Sequence, residues 1–511
     1  MLAIMAGRLA LKAVTLGGGL RARLVAASAL HAVGRPQDAD ALLADLDPGE
    51  ATERERVELA VNRATILLYG FGRSAAAASV LETAQAEVGN PDWHAEQAAL
   101  RAEMSLRDQD PHAALEAATG VAARADIGDR ATLRALAVAV QALAIQGRSQ
   151  DAIDAVEHAR EVSARLEVEP PHATLELIEL SAALPYAMAG RLDEHERRLR
   201  RHYQEALEHQ NPAMQALWAF ACGACKLYRG EVRSAAAQLG EAARLLREHP
   251  TILGPYGLAW CLGDLATAHA LSGRPEWAAA ALADAGQALP GAVSCAPRDR
   301  GHVWLTATRG AVSQARAASL DAAAQVRARG YLAFELTALH DAARLGAAGC
   351  VAGRLEELAA SADGPLVRTF ALHGRALARC DATMLARAAG GFEEIGALML
   401  AAEGWADAAE AYRRAGRTGR AAGGAANAGR LNDACERPQT PTLRRLDAHG
   451  HLTSREQEVV ELVRAGHNSR QIAERLVVSE RTVESHRWNA YQKLGVHNAR
   501  ELHAIFDAET R

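Results

Sequence analysis

Three groups of residues in this chain have types and spacings that invite a chemical reading. Cys222 and Cys225 form a Cys-x-x-Cys pair, the spacing of zinc half-sites and of redox dithiols. No second ligand pair lies near and no strand–helix alternation surrounds them, so two small residues on one helix face is the preferred reading. His195, His202 and His209 recur every seven residues, and on a helix that sets neighbours about 10 Å apart, too far to share one ion. The third group is Arg481, Glu484, Ser485 and Trp488, with Gln492 beyond, spaced to share one helix face. Glu484 can accept from a cytosine amino group, Ser485 can bond several bases and Trp488 offers an apolar contact, so these three are the expected base readers. Arg470, Arg481, Thr482, Arg487 and Lys493 are the expected phosphate-backbone contacts, with Arg487 turned partly inward as the alternative. H-E-x-x-H and G-x-S-x-G are absent, and no set of nucleophile, base and oxyanion donors can be assembled. The expectation is therefore a protein that is not an enzyme and uses no cofactor or metal.

The elements that must position those residues are legible from their caps. Thr453 with Glu456 makes a capping box ahead of Val459, Val460, Leu462 and Val463, and Gly466 closes that helix. Asn468 with Gln471 opens a second helix bearing Ile472, Ala473 and Leu476, and Val477-Val478 forms the turn. Ser479, with Thr482 three residues on, opens a third whose inward face is Val483, Ala490 and Leu494, ending at Gly495. Asn498 with Glu501 opens a fourth, where Leu502, Ile505 and Phe506 form a candidate dimer face or pack on the unit's own core. The short turn between the second and third helices is helix-turn-helix spacing, in which the later helix enters the major groove. From Thr442 onward there are 11 basic against 10 acidic residues, a net of +1, so affinity would depend on local placement of charge and on dimerisation.

The 511 residues as a whole carry a net charge of −5, with 49% hydrophobic, 23% charged and only 4% aromatic residues. Such a composition fits a soluble globular chain built on Ala, Leu and Val, and favours helices. It excludes a protein that coats nucleic acid by bulk charge, though not a small DNA-reading module. The seven Cys are odd in number and irregularly spaced, which argues against a disulfide framework. The apolar start MLAIMAGRLALKAVTLGGGL is interrupted by Arg8 and Lys12, and no stretch is suited to crossing a membrane. A cytoplasmic location is expected. Arg197, Arg198, Arg200 and Arg201 could meet an acidic partner, but a solvated helix flank is the simpler reading.

From residue 1 to about 435 one pattern recurs, an Ala/Leu-rich helix closed by Gly and followed by a polar residue and a second helix. The turns are Gly34-Arg35, Gly72-Arg73, Gly147-Arg148, Gly190-Arg191, Gly230-Glu231, Gly273-Arg274 and Gly310-Ala311, with one lacking its Gly near Asp108–Pro111. Their spacing of roughly 35 to 43 residues marks a tetratricopeptide-like helical-hairpin solenoid. Such an array binds a partner, takes an effector in a pocket or merely spaces other parts; the sequence leaves these open. Residues 436–450, with Pro438 and Pro441, read as a linker, and 451–511 as a separate small domain. The fold class expected is all-α, a solenoid followed by a four-helix unit.

The segment LTSREQEVVELVRAGHNSRQIAERLVVSERTVESHRWNAYQKLGV closely resembles the LuxR-type DNA-binding domain. The resemblance rests on Leu452, Thr453, Arg455, Glu456, Gly466, Ile472, Ala473, Leu476, Ser479, Thr482, Val483, His486, Lys493, Leu494, Gly495 and Val496. It departs at Asn468-Ser469, where the usual order is reversed, at Ala499, where Arg is usual, and at Glu484, which replaces a frequent Lys. The stretch Gly364–Leu377 and FEEIGALMLAAEGWADAAEAYRRAGR resemble the helical region of the large ATP-binding, MalT-like LuxR-type regulators. Those carry a phosphate loop. Here no G-x-x-x-x-G-K-[ST] occurs, so the ATPase domain and nucleotide-dependent oligomerisation are expected to be missing. The resemblance implies a transcription regulator that binds double-stranded DNA as a homodimer, with RNA polymerase and a protein or small-molecule effector as further partners. The alternative is an interaction scaffold with a weak or vestigial DNA-binding domain.

Overall fold

The computed structural model describes residues 2–32, 35–44, 46, 51–85, 89–108, 110–166, 174–249, 254–288, 296–448, 454–494, 496, 498, 499, 501 and 502. Among them every regular element is helical and there is no strand. The hairpin formed by helices Pro212–Arg229 and Val232–Glu248 shows why. Asn211 caps the first helix by accepting from Met214 N (3.3 Å), Pro212 occupies its first turn and Gly230 closes it at φ 89°. The second buries Val232, Ala235, Ala236, Leu239, Ala242, Ala243 and Leu246, a stripe at helical spacing that faces its partner.

The expected turns at Gly72, Gly147, Gly190, Gly230, Gly273 and Gly310 all have positive φ. Gly34 lies outside the described residues. At the turn without glycine, Asp110 caps helix Pro111–Ala122 by accepting from Ala113 N at 3.0 Å. Gly330, Gly396 and Gly416 also have positive φ and carry the hairpin pattern further than the sequence reading took it.

The array coils back on itself. The Gly147 turn packs against Leu332 and Ala362, the Gly190 turn against Pro365 and Ile395, the Gly230 turn against Met399 and the Gly273 turn against Gln439. A Cβ at Gly230 would collide with Met399, so glycine there serves close approach as well as the left-handed turn. Polar contacts fasten the coils. Asp363 N donates to Gly147 O at 3.1 Å, and its carboxylate accepts from Ser149 N at 2.6 Å and Gln150 N at 3.0 Å, at the start of helix Ser149–Arg165. Glu436 does the same for helix Val232–Glu248, accepting from Arg233 N at 2.6 Å and Ser234 N at 2.9 Å.

The segment expected to be a linker is therefore not a free tether over its first part. Gln439 N donates to Leu271 O at 2.6 Å, and Arg444 Nη1 donates to Thr308 O at 2.8 Å. Helix Pro441–Ala448 buries Leu443 completely in the main core of the array. Pro438 and Pro441 had suggested a break, but Pro441 starts a helix, where its missing N–H is harmless. Residues 449 and 450 lie outside the described residues.

A charged cluster crosses the interior. Asp341 accepts from Arg300 Nε (2.8 Å), Trp304 Nε1 (3.1 Å) and Arg344 Nη1 (2.6 Å). Arg344 also donates to both oxygens of Glu403, at 2.6 and 3.0 Å, and lies over the Trp304 ring. The two flanking guanidiniums hold the Asp341 carboxyl below the usual carboxylate range against the opposing push of burial.

Candidate nucleic-acid interface

The C-terminal unit is built from helices Ser454–Arg464, Ser469–Leu476 and Glu480–Leu494. Val459, Val460, Val463, Ile472, Ala473, Val483, Ala490, Val496 and Leu502 form its core, and Ala422 of the array adjoins it. The expected caps are present where described. Asn468 and Gln471 form a reciprocal capping box, Ser479 Oγ accepts from Thr482 N (3.1 Å) and Asn498 Oδ1 accepts from Glu501 N (2.9 Å). Thr453 lies outside the described residues. The turn passes through Val477, left-handed at φ 53° and 89% exposed.

On helix Glu480–Leu494, Val483 and Ala490 are buried as expected, while Arg481, Glu484, Ser485 and Trp488 are exposed, Trp488 by 64%. Those four side chains thus share an exposed face. Its polar groups are arranged differently from the expectation in one respect. Glu484 is not free to meet a base, because it accepts from Ser469 Oγ (2.6 Å) and from Arg487 Nη2 (2.6 Å). Arg487 Nη1 donates to the same Ser469 hydroxyl at 3.0 Å. Sequence reasoning marks Ser469 only as the second residue of the reversed pair, not as a partner of Glu484. No periodicity links it to Glu484, since the two sit on different helices.

Thr482 is half-buried and its hydroxyl is hydrogen-bonded to Ser479 Oγ at 2.7 Å. Arg470 is highly exposed and pairs with Glu474 at 3.4 Å. The side chain of Lys493, and those of Gln492 and Leu494, lie outside the described residues, as do Ile505 and Phe506. Leu502, offered as part of a dimer face, is fully buried in the unit's own core. Helical spacing marks an apolar face but not what covers it.

The other residues with chemical promise resolve into structure. Cys222 and Cys225 are buried on helix Pro212–Arg229, and burial pushes the Cys222 thiol up to about 12 and Cys225 higher still, away from thiolate chemistry. His195 is buried and stacks on Tyr186 at 4.5 Å, and burial pushes its pKa down to about 3. His202 stacks on Trp218 instead. Of the arginine cluster, Arg198 donates to Tyr186 Oη (2.9 Å) and Arg200 to Glu196 (2.5 Å), as a paired helix flank would. No group of His, Cys, Asp and Glu suited to a metal ion occurs among the described residues. No helix among them is long and apolar enough to cross a membrane.

Three helices around one apolar core, with the last presenting Arg481, Ser485 and Trp488 to solvent, define a helix-turn-helix unit. Residues 450–506 match the family described as GerE, bacterial regulatory proteins, luxR family, so the C-terminal unit is a LuxR-family domain. Over this region the chain is similar to the uncharacterized response regulatory protein YgeK of Escherichia coli (strain K12), 41% identical over 58 residues, 11% of this chain and 40% of that protein. It is also similar to the spore germination protein GerE of Bacillus subtilis (strain 168), 51% identical over 45 residues, 9% of this chain and 61% of that protein. The matched stretch thus spans less than two thirds of either relative.

Solved structures similar to the chain include a Rap protein complexed with competence and sporulation factor, with TM-score 0.40 and 11% identity, covering 82% of this chain and 98% of that one. The APC/C hetero-tetramer Cut9-Hcn1 is another, with TM-score 0.34 and 11% identity, covering 86% and 91%. Among the described residues the chain is all-α, a tetratricopeptide-like array with a LuxR-type domain at its C-terminal end, an organisation consistent with the MalT-like resemblance.

Proposed function

We propose that this protein is a sequence-specific, non-enzymatic transcription regulator of the cytoplasm. Helix Glu480–Leu494 enters the major groove, where Ser485 and Trp488 contact base edges and Arg481 and Arg470 contact phosphates. Thr482 and Lys493 border the backbone, and Arg487 holds Glu484 in register until DNA arrives. Two copies occupy half-sites about one helical turn apart. The array receives a protein or small-molecule signal, and RNA polymerase is the downstream partner. The observation that carries this reading is the exposed row Arg481, Ser485 and Trp488 on the last helix of a LuxR-type scaffold.

The test is selection of genomic DNA fragments by the full-length chain at about 0.15 M salt, a concentration at which phosphate contacts are already weakened. One short motif should be enriched. Ser485→Ala with Trp488→Ala should change that motif, whereas Arg481→Ala should weaken every site and flatten the salt dependence. Enrichment of nothing by any form overturns the reading.

A second reading has one observation in its favour. The Glu484–Arg487 ion pair neutralises a cation on the DNA-facing helix, in a segment of net charge only +1. A scaffold with a vestigial DNA-binding unit would show that pattern, and its partner binding would be unaffected by all three substitutions.

A further inference from the structure

A small cleft, open to solvent, lies in the middle of the array where helices Pro212–Arg229, Gly254–Leu271, Ala296–Thr308, Val312–Arg327 and Leu332–Ala342 meet. Its walls are mostly apolar, with Pro297, Val303, Val326 and Phe334 among them. Most of its polar groups are already committed. The Ser319 hydroxyl donates to Ala338 O (2.8 Å) and the Thr337 hydroxyl to Ala333 O (3.0 Å). Arg300 is held by Asp341, which also takes Trp304 and Arg344.

Asp264 is the exception. It lines the cleft, and no described residue donates a hydrogen bond to it. Burial pushes its pKa up to about 7, and Arg300 only partly opposes this. Asp299, a second carboxyl on the wall, is raised in the same sense by burial. The Asp264 side chain is only partly buried, so its carboxylate reaches the cleft and is open to a partner there.

Of the rings here, Phe334 and Tyr228 line the cleft, and Phe334 is backed by Trp260, edge to face at 5.7 Å, and by Tyr331 at 6.2 Å. The Trp260 indole N–H is buried with no acceptor. Asp299 already has Arg298 at 4.0 Å, whereas Asp264, on the wall of a mostly apolar cleft, suits a positive charge carried on an apolar body.

We propose that this cleft binds a protonated primary amine attached to an apolar or aromatic group, with the ammonium on Asp264 and the apolar part against Phe334 and Val326. The amine comes either from a small molecule or from the free amino terminus of a peptide. Ligand binding itself does not depend on the regulator reading; the proposal leans on that reading only in making the amine the signal that the array receives.

The full-length chain is titrated calorimetrically at pH 8 with phenethylamine, with 2-phenylethanol, and with phenylalanyl-glycinamide bearing a free or an acetylated amino terminus. Binding of phenethylamine at least tenfold tighter than the alcohol, lost at least tenfold in Asp264→Asn and weakened in Phe334→Ala, supports the proposal. If the free-terminus peptide binds tenfold tighter than phenethylamine and its acetylated form does not bind, the source is a peptide; if phenethylamine binds as well or better, it is a small amine. Equal binding of amine and alcohol, no binding of any amine, or full retention in Asp264→Asn overturns it. DNA selection by the same Asp264→Asn protein separates the two ideas. Intact DNA selection without amine binding in the parent chain sinks the cleft alone, while amine binding without DNA selection sinks the regulator reading alone.

Discussion

Glu484 and Arg487, three residues apart on helix Glu480–Leu494, are joined at 2.6 Å and share the hydroxyl of Ser469 on the helix before. The pair turns a candidate base reader and a candidate phosphate contact into each other's partners. Glu484→Gln removes a negative charge from the DNA-facing side and frees Arg487. Affinity for unrelated DNA should rise, and the slope of log K against log salt should steepen by about 0.9, one phosphate contact. Fluorescence anisotropy across a salt series checks this, and an unchanged slope would show that Arg487 stays inward even when released.

The turn of the helix-turn-helix holds a β-branched residue where the backbone is left-handed. Val477 has φ 53° and buries almost nothing. Asn tolerates that conformation at lower cost, so Val477→Asn should stabilise the C-terminal unit by about 0.5–1 kcal/mol. Chemical denaturation followed through Trp488 reads it out.

Asp363 caps a helix from 214 residues away. Its removal leaves Ser149 N and Gln150 N without their partner and takes a negative charge from a helix start. Asp363→Ala should cost about 1–2 kcal/mol. Hydrogen exchange should show the loss both at residues 149–165 and around residue 363, not at one of them alone.

Arg344 lies between two carboxylates with only 2% of its side chain exposed. Arg344→Met leaves Asp341 and Glu403 short of a counter-charge in the interior, a loss of about 3–5 kcal/mol. The companion double change, with Glu403→Gln added and the Arg300–Asp341 pair left intact, should recover most of it. Failure of the double to recover would mean that the packing of Arg344 over Trp304, not its charge, is what the array needs.

Asp264 and Asp407 share an unusual titration, each pushed by burial from 3.8 to about 7. Between those limits the folded chain holds protons that the unfolded chain has released, so stability falls as pH rises from about 4 to about 7 and is level beyond. Asp407→Asn should therefore raise the melting temperature at pH 8 and leave it unchanged near pH 4. The opposite order would show that Arg445, 3.7 Å from Asp407, keeps the carboxylate charged.

Local signals were legible in the sequence and distant ones were not. Asn468 with Gln471, Ser479 with Thr482 and Asn498 with Glu501 act within one helical turn, so their meaning is written in their spacing. The glycines at 147, 190 and 230 were readable for the same reason. Asp363 and Glu436 gave no such sign, because what they cap lies on another coil of the array. Leu443 and Leu502 show the same limit, as one falls in the expected linker and the other suits a dimer face or the unit's own core equally well, and each is covered by residues that no periodicity could name. The exposed face of helix Glu480–Leu494 was visible as a pattern of outward positions, but the diversion of Glu484 depends on Ser469, on the neighbouring helix.

A solenoid whose repeats touch only their neighbours comes apart link by link. This one has rungs between its coils, so it resembles a wound rope whose free end is tucked under the previous loop. The tucked end is the stretch from Glu436 to Arg444, and the DNA-binding unit follows directly after it. The knot and the load therefore share one piece of chain. Slackening any coil in contact with that stretch lengthens the leash on the DNA-binding unit, and protease cleavage between residues 436 and 448 becomes a direct gauge of how tightly the rope is wound.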